Sequence, residues 1–93
     1  MAHNESWDDL RIALAVAEAG SVNAAAKALG LNHATVLRRI AAFERRRGLT
    51  LFERNARGAR VAPGAAAMIE HLREVEAAIG RFDRAAAGAA VGF

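Results

Sequence analysis

The sequence predicts a mainly α fold: a winged helix-turn-helix of three helices and a small β-hairpin, followed by a long dimerisation helix. Three observations support this fold class. Each of three short segments with helical periodicity ends at a glycine, namely Gly20, Gly30 and Gly48. After Gly48 the apolar residues adopt the shorter period of strands. Beyond Pro63 they recur at alternating spacings of three and four, which is the heptad pattern of paired helices.

The first three helices are expected at residues 8–19, 24–29 and 33–47. In the first, the two aspartates at its start suit the positive end of the helix dipole. Asn23 and Asn32 are placed to cap the second and third helices through their side-chain oxygens. The residues expected to face the core are Leu10, Ala13, Leu14 and Ala17 in the first helix, and Val36, Ile40 and Phe43 in the third.

The second and third helices are joined by the short turn "GLN", which is typical of a helix-turn-helix. Because one face of the third helix is apolar, His33, Thr35, Arg38 and Arg39 are expected on its outer side. In a recognition helix, that N-terminal half meets base edges in the major groove. Residues 49–61 are expected to form two short strands around a turn, which make the wing.

The fourth helix is expected over residues 63–86, with Pro63 in its first turn, and residues 87–93 as a flexible Ala/Gly-rich tail. Its heptad residues form what we call the seam, and we expect them to bind the same helix of a second copy. Ile69 lies beside the seam and is expected to pack on its own domain. The seam comprises Ala65, Met68, Leu72, Val75, Ile79, Phe82 and Ala86.

Charge is concentrated in the middle of the chain. Residues 38–60 carry eight arginines against two glutamates, a net charge of +6 within a chain whose total is +3. Such a stripe suits a polyanionic partner, although a solvated charged face is the common alternative. The chain has no cysteine, and its three histidines lack metal-site spacing. We expect no metal or cofactor, no membrane contact, and a cytoplasmic, nucleoid-associated protein.

Short motifs spread over residues 8–86 resemble the N-terminal DNA-binding domain of LysR-type bacterial transcriptional regulators. They are Leu10, Val16, Ala17, Gly20 to Val22, Ala25, Ala26, Leu29, Asn32 to Val36, Arg38 to Ile40, Phe43, Glu44, Gly48, Leu51, Phe52, Arg54, Pro63 and Gly64. Three positions depart from the family pattern: Ala13 replaces an aromatic residue, Leu37 a serine that faces DNA, and Ala62 a residue that caps the linker helix.

The resemblance implies a winged helix-turn-helix domain over residues 1–62 and a linker helix that pairs two protomers. The homodimer would bind double-stranded DNA at an interrupted palindrome. The family's effector-binding domain is expected to be absent, and with it any small-molecule effector site. The residues implied in DNA binding are Asn23, Asn32, His33, Thr35, Arg38, Arg39, Arg54, Arg57 and Arg60.

Several of these residues keep a second interpretation. Arg38 is the best candidate for guanine because its guanidinium can bind O6 and N7 together. Arg39 either reaches a phosphate or solvates the helix flank, and Arg54 either contacts DNA or forms a structural ion pair. Asn23 and Asn32 serve equally well as caps alone.

Three alternative functions are open. A catalytic triad of Ser21, His33 or His71, and Asp83 can be named, but no Gly-rich elbow surrounds Ser21. A winged helix can also be a protein-interaction module that does not bind DNA. The molybdate-responsive regulators, finally, have a similar N-terminal domain.

Overall fold

The computed structural model describes residues 7–55 and 58–91, and it confirms the expected fold class. The elements are α1 (Trp7–Ala19), α2 (Val22–Leu29), α3 (His33–Arg47), β1 (Phe52–Asn55), β2 (Gly58–Val61) and α4 (Ala66–Val91). The strands pair antiparallel, with Phe52 opposite Val61 and Asn55 opposite Gly58.

Helix α1 is the centre of the fold because it packs against α2, α3, α4 and β2. Of its expected core residues, Ala13 and Leu14 are buried, whereas Leu10 and Ala17 are only half-buried. Ile12 and Val16 are also buried, which periodicity did not predict. A helix that is surrounded on several sides buries a wider stripe than the single face of an amphipathic surface helix.

The helix ends follow from local chemistry. Gly20, Gly30 and Gly48 end α1, α2 and α3 in the left-handed conformation, as expected. Asn32 caps α3, since its Oδ1 accepts a hydrogen bond from the backbone N of Ala34 at 2.7 Å. The prediction that Asn23 caps α2 is wrong: the helix begins earlier, and Ser21 Oγ accepts from Ala24 N at 3.0 Å.

The wing is fixed to the helical core at both of its strands. Phe52 of β1 and Ala59 of β2 are buried. Ala59 N donates to the carbonyl oxygen of Gly20, in the turn between α1 and α2, at 3.1 Å. The wing is therefore held by the backbone of that turn as well as by apolar packing.

Helix α4 differs from its expected bounds of 63–86. It begins at Ala66 and continues to Val91, so residues 87–91 of the predicted flexible tail are helical, and 92–93 lie outside the described residues. Its start belongs to the core of the domain. Ile69 is 2% exposed, which confirms its expected packing. Ala65 and Leu72, which were expected at a dimer contact, are buried in the same core of their own domain.

Candidate nucleic-acid interface

The exposed face of α3 carries two of the nine residues expected to contact DNA. Its inward side is fixed by Val36, Ile40 and Phe43, all of which are buried as expected. Consequently His33 and Arg38 are exposed, while Thr35 is half-buried. Two potential hydrogen-bonding side chains therefore lie on one surface in the N-terminal half of α3.

An open groove of about 650 Å³ separates the start of α3 from the wing. Its walls come from the start of α2 and the turn before it, from the first residue of α3, and from both strands. The polar residues that line it are Ser21, Asn23, His33, Arg54 and Asn55. Asn23 and His33 are joined by a hydrogen bond of 2.5 Å between Oδ1 and Nδ1. The groove thus brings together Asn23, His33 and Arg54, which the sequence placed on three different elements.

Arg39, which was expected on the outer side of α3, is half-buried and turned toward α1. Its guanidinium binds the carboxylate of Asp9 on α1, with Nε at 2.9 Å and Nη2 at 2.6 Å from Oδ1. Arg46 binds the other oxygen, Oδ2, at 3.2 Å. Asp9 is only 9% exposed, so this cluster holds the start of α1 against α3. The three side chains therefore form a bridge between α1 and α3.

The wing arginines have different surroundings. Arg54 is exposed and lines the groove, and within residues 7–55 and 58–91 the structural ion pair considered for it is not formed. Arg60 pairs with Glu53 across the strands at 3.3 Å, and both side chains are exposed. Such a pair is weak enough for a phosphate to replace the carboxylate. Arg57 lies outside the described residues.

The count of charges along the sequence gave no indication of the role of Glu44. Its Oε2 accepts hydrogen bonds from the backbone N of Leu51 at 2.7 Å and of Phe52 at 3.2 Å. These bonds connect α3 to the start of β1, and so they set the position of the wing relative to the recognition helix. One sequence feature could have indicated this role: Glu44 is an acidic residue in an otherwise basic segment, shortly before a turn.

The seam divides into a buried and an exposed part. Met68 is half-buried against the core, beside Ala65 and Leu72. Farther along α4, Ile79 is half-buried, Val75 is 40% exposed and Phe82 is 70% exposed. Among the seam residues that the structure describes, the exposed large apolar side chains thus lie in its distal part.

The residues of the candidate triad have other partners. Ser21 Oγ is the cap acceptor of α2, and His33 is bound to Asn23. His71 pairs with Glu74 at 3.2 Å within α4. The described residues therefore give no support to an assembled nucleophile and base. None of the described helices has the length and apolar content needed to cross a bilayer.

The comparisons with known proteins agree with this architecture. The family of "bacterial regulatory helix-turn-helix protein, lysR family" matches residues 7–68. The transcriptional regulator TfdS of Cupriavidus pinatubonensis is 44% identical over 66 residues, which covers 71% of this chain and 22% of that protein. A probable hydrogen peroxide-inducible genes activator of Mycobacterium xenopi is 39% identical over 80 residues, covering 86% and 42% respectively.

A solved structure matches over a similar part of the chain. The CbnR_DBD-DNA complex contains a chain with a TM-score of 0.79 and 35% identity, covering 91% of this chain and 99% of that one. This chain spans less than half of the length of the two regulators above, but nearly all of the CbnR_DBD chain. By sequence and by fold, the protein belongs to the LysR family of bacterial regulatory helix-turn-helix proteins.

Proposed function

We propose that residues 1–62 and the start of α4 form the sequence-specific, double-stranded DNA-binding domain of a LysR-type transcriptional regulator. The observation that carries this proposal is the exposed N-terminal half of α3 beside the groove lined by Arg54. An exposed helix face of this kind fits the major groove, while a wing lies against the backbone or the minor groove. The related CbnR_DBD chain was solved with DNA. No catalytic activity is proposed, and the protein acts in the cytoplasm at the nucleoid.

The side chains take separate roles in this proposal. Arg38 binds a guanine edge, because it is exposed on α3 and has no ion-pair partner within the described ranges. Thr35 offers its methyl group to thymine or its hydroxyl to a phosphate. Arg54 and Arg60 contact phosphates from the wing. A phosphate contact is also predicted for Arg57 from the sequence. Arg39 is left out because Asp9 already binds it.

Arg38→Ala is expected to weaken binding to the selected operator by about 1 to 3 kcal/mol and to relax the preference at one base pair. Arg60→Ala is the matched control. It should weaken binding to all duplexes alike, because it removes only a phosphate contact. The slope of the logarithm of the binding constant against the logarithm of salt concentration should become shallower by about 1. Fluorescence anisotropy measures both, on the operator obtained by selection from random duplexes and on a scrambled one, at several salt concentrations.

Two results would contradict the proposal in different ways. If Arg38→Ala weakened operator and scrambled duplex equally, Arg38 would not recognise a base. If the unchanged chain bound no duplex at low salt, DNA binding itself would be wrong, and a protein-interaction module would be favoured.

The same proposal includes a homodimer formed through α4. Its support is the exposed distal seam, where Val75 and Phe82 would otherwise leave large apolar surfaces in water. A two-fold pair of protomers presents two recognition helices to successive turns of a palindromic operator.

Val75→Glu with Phe82→Glu is expected to give monomers, because it places like charges opposite each other in a symmetric contact. Leu72 is unsuitable for this test because it is buried in its own domain. Ala77→Glu is the control, since Ala77 is exposed on the opposite side of α4 from the seam. Sedimentation equilibrium gives the mass, and circular dichroism checks that helix content is retained. A monomeric unchanged chain, or a dimeric double variant, would show that α4 does not pair in this way.

A further inference from the structure

The hydrogen bond between Asn23 and His33 favours one tautomer of the imidazole. The oxygen Oδ1 of Asn23 has no hydrogen and faces Nδ1 of His33 at 2.5 Å. Nδ1 must therefore carry the proton and donate it. In a neutral imidazole only one ring nitrogen is protonated, so Nε2 presents a lone pair and acts as an acceptor.

The accepting nitrogen belongs to a side chain on the surface proposed to meet DNA. His33 is the first residue of α3, is exposed, and lines the open groove. Within residues 7–55 and 58–91, Asn23 is the one side-chain hydrogen-bond partner of the imidazole ring. Nε2 is consequently available to a ligand that enters from outside.

We propose that Asn23 sets the base preference of His33: it holds the ring so that Nε2 accepts a hydrogen bond from an exocyclic amino group in the major groove. This inference rests on the DNA-binding function proposed above. Only adenine N6 and cytosine N4 offer such donors in the major groove, whereas guanine N7 and O6 and thymine O4 are acceptors. His33 therefore selects adenine or cytosine, and Arg38 on the same helix, a donor, selects guanine.

Asn23 is a positioning residue in this scheme, since it acts through His33. Its role resembles that of the outer partners of metal-binding histidines, which fix the tautomer and the orientation of the ring by a hydrogen bond to the other nitrogen. Without Asn23 the imidazole can take either tautomer and either ring orientation. It would then present a donor or an acceptor, and it would lose its preference between the two classes of base.

The first test compares three proteins on matched operator duplexes. Each adenine or cytosine of the selected operator is replaced in turn by an analogue without the amino group. The unchanged chain should lose affinity at one position by about threefold to tenfold, the effect of one hydrogen bond. Neither Asn23→Ala nor His33→Ala should lose affinity there. Both variants should keep the guanine preference that depends on Arg38, which shows that they are folded and bound in register.

The second test needs no DNA. The nitrogen chemical shifts of the His33 ring should show the Nδ1–H tautomer as the predominant form in the unchanged chain. In Asn23→Ala that predominance should be lost. Asn23→Asp, which keeps an oxygen acceptor at this position, should retain the proton on Nδ1.

The inference and the function on which it rests can fail separately. If the unchanged chain binds its operator but no amino group matters, or if the loss persists in Asn23→Ala, the role of Asn23 is wrong. If the His33-dependent base is a guanine whose N7 is required, the ring donates and the polarity is wrong. If the ring shows the Nε2–H tautomer with Asn23 present, the structural premise is wrong. Absence of any operator binding would instead overturn the proposed function.

Discussion

Gly58→Ala is expected to destabilise the domain by about 3 kcal/mol, because the new side chain would meet the backbone to which the wing is fixed. An ideal Cβ at Gly58 would lie 2.6 Å from the carbonyl oxygen of Gly20. That oxygen also accepts the hydrogen bond from Ala59 N, so relieving the clash would break the attachment of β2. Gly58 also has a φ of +139°, a conformation that other residues rarely adopt.

Gly64→Ala separates the two contributions. Gly64 has a similar φ of +128°, but no atom lies within 4 Å of its ideal Cβ. It should therefore show only the conformational strain, about 1 to 2 kcal/mol. Urea unfolding followed by circular dichroism measures both variants, and hydrogen exchange of the Ala59 amide reports on the wing. Equal losses in the two variants would show that the approach of β2 to Gly20 contributes nothing.

Asp9→Asn is expected to lower the free energy of unfolding by about 1 to 3 kcal/mol, because it removes the carboxylate charge that two neighbouring guanidinium groups share. Removing one partner of a fully buried pair has a larger effect, about 3 to 5 kcal/mol. Here the side chains of Arg39 and Arg46 are 35% and 37% exposed, so water screens part of the repulsion. Asparagine keeps the shape of the side chain, which isolates the effect of charge.

Asp8→Asn is the control for this change. Asp8 is the neighbouring carboxylate, its side chain is 64% exposed, and it pairs with Arg11 at 3.4 Å. A surface pair of this kind contributes about 0.5 kcal/mol or less. Urea unfolding of both variants at low and high salt makes the comparison. If Asp9→Asn were no less stable than Asp8→Asn, the cluster would not hold α1 against α3.

The sequence predicted well those features that depend on neighbouring residues. The glycines that end α1, α2 and α3, the cap at Asn32 and the buried face of α3 all follow from spacing within a few residues. Contacts between distant residues were missed. The partner of Asp9 is thirty positions away, and Glu44 binds backbone amides of the next element. Periodicity shows which face of a helix is buried, but not which polar side chain crosses to a neighbour.

The seam of α4 shows a second limit. A heptad pattern has the same appearance whether the apolar stripe packs on its own domain or on another chain. In this protein the first part of the stripe packs on its own domain, and the later part is the one proposed to pack on a second chain. Ala65 and Leu72 fill the domain core, whereas Val75 and Phe82 are exposed. The change from one use to the other depends on where the globular part of the chain ends, which periodicity alone does not indicate.

Helix α4 is anchored in the domain only near its start, so a small rotation there produces a large displacement of its far end. The helix is buried against the domain only as far as Leu72, and it continues for roughly 28 Å beyond that point at 1.5 Å per residue. A rotation of α4 by one degree about Leu72 moves the far end of the helix by about 0.5 Å over that length. In the proposed dimer, the distance between the two recognition helices is thus set where Ile69 and Leu72 are seated. Small changes of packing there would produce large changes in that distance, without any alteration of the surface proposed to meet the DNA.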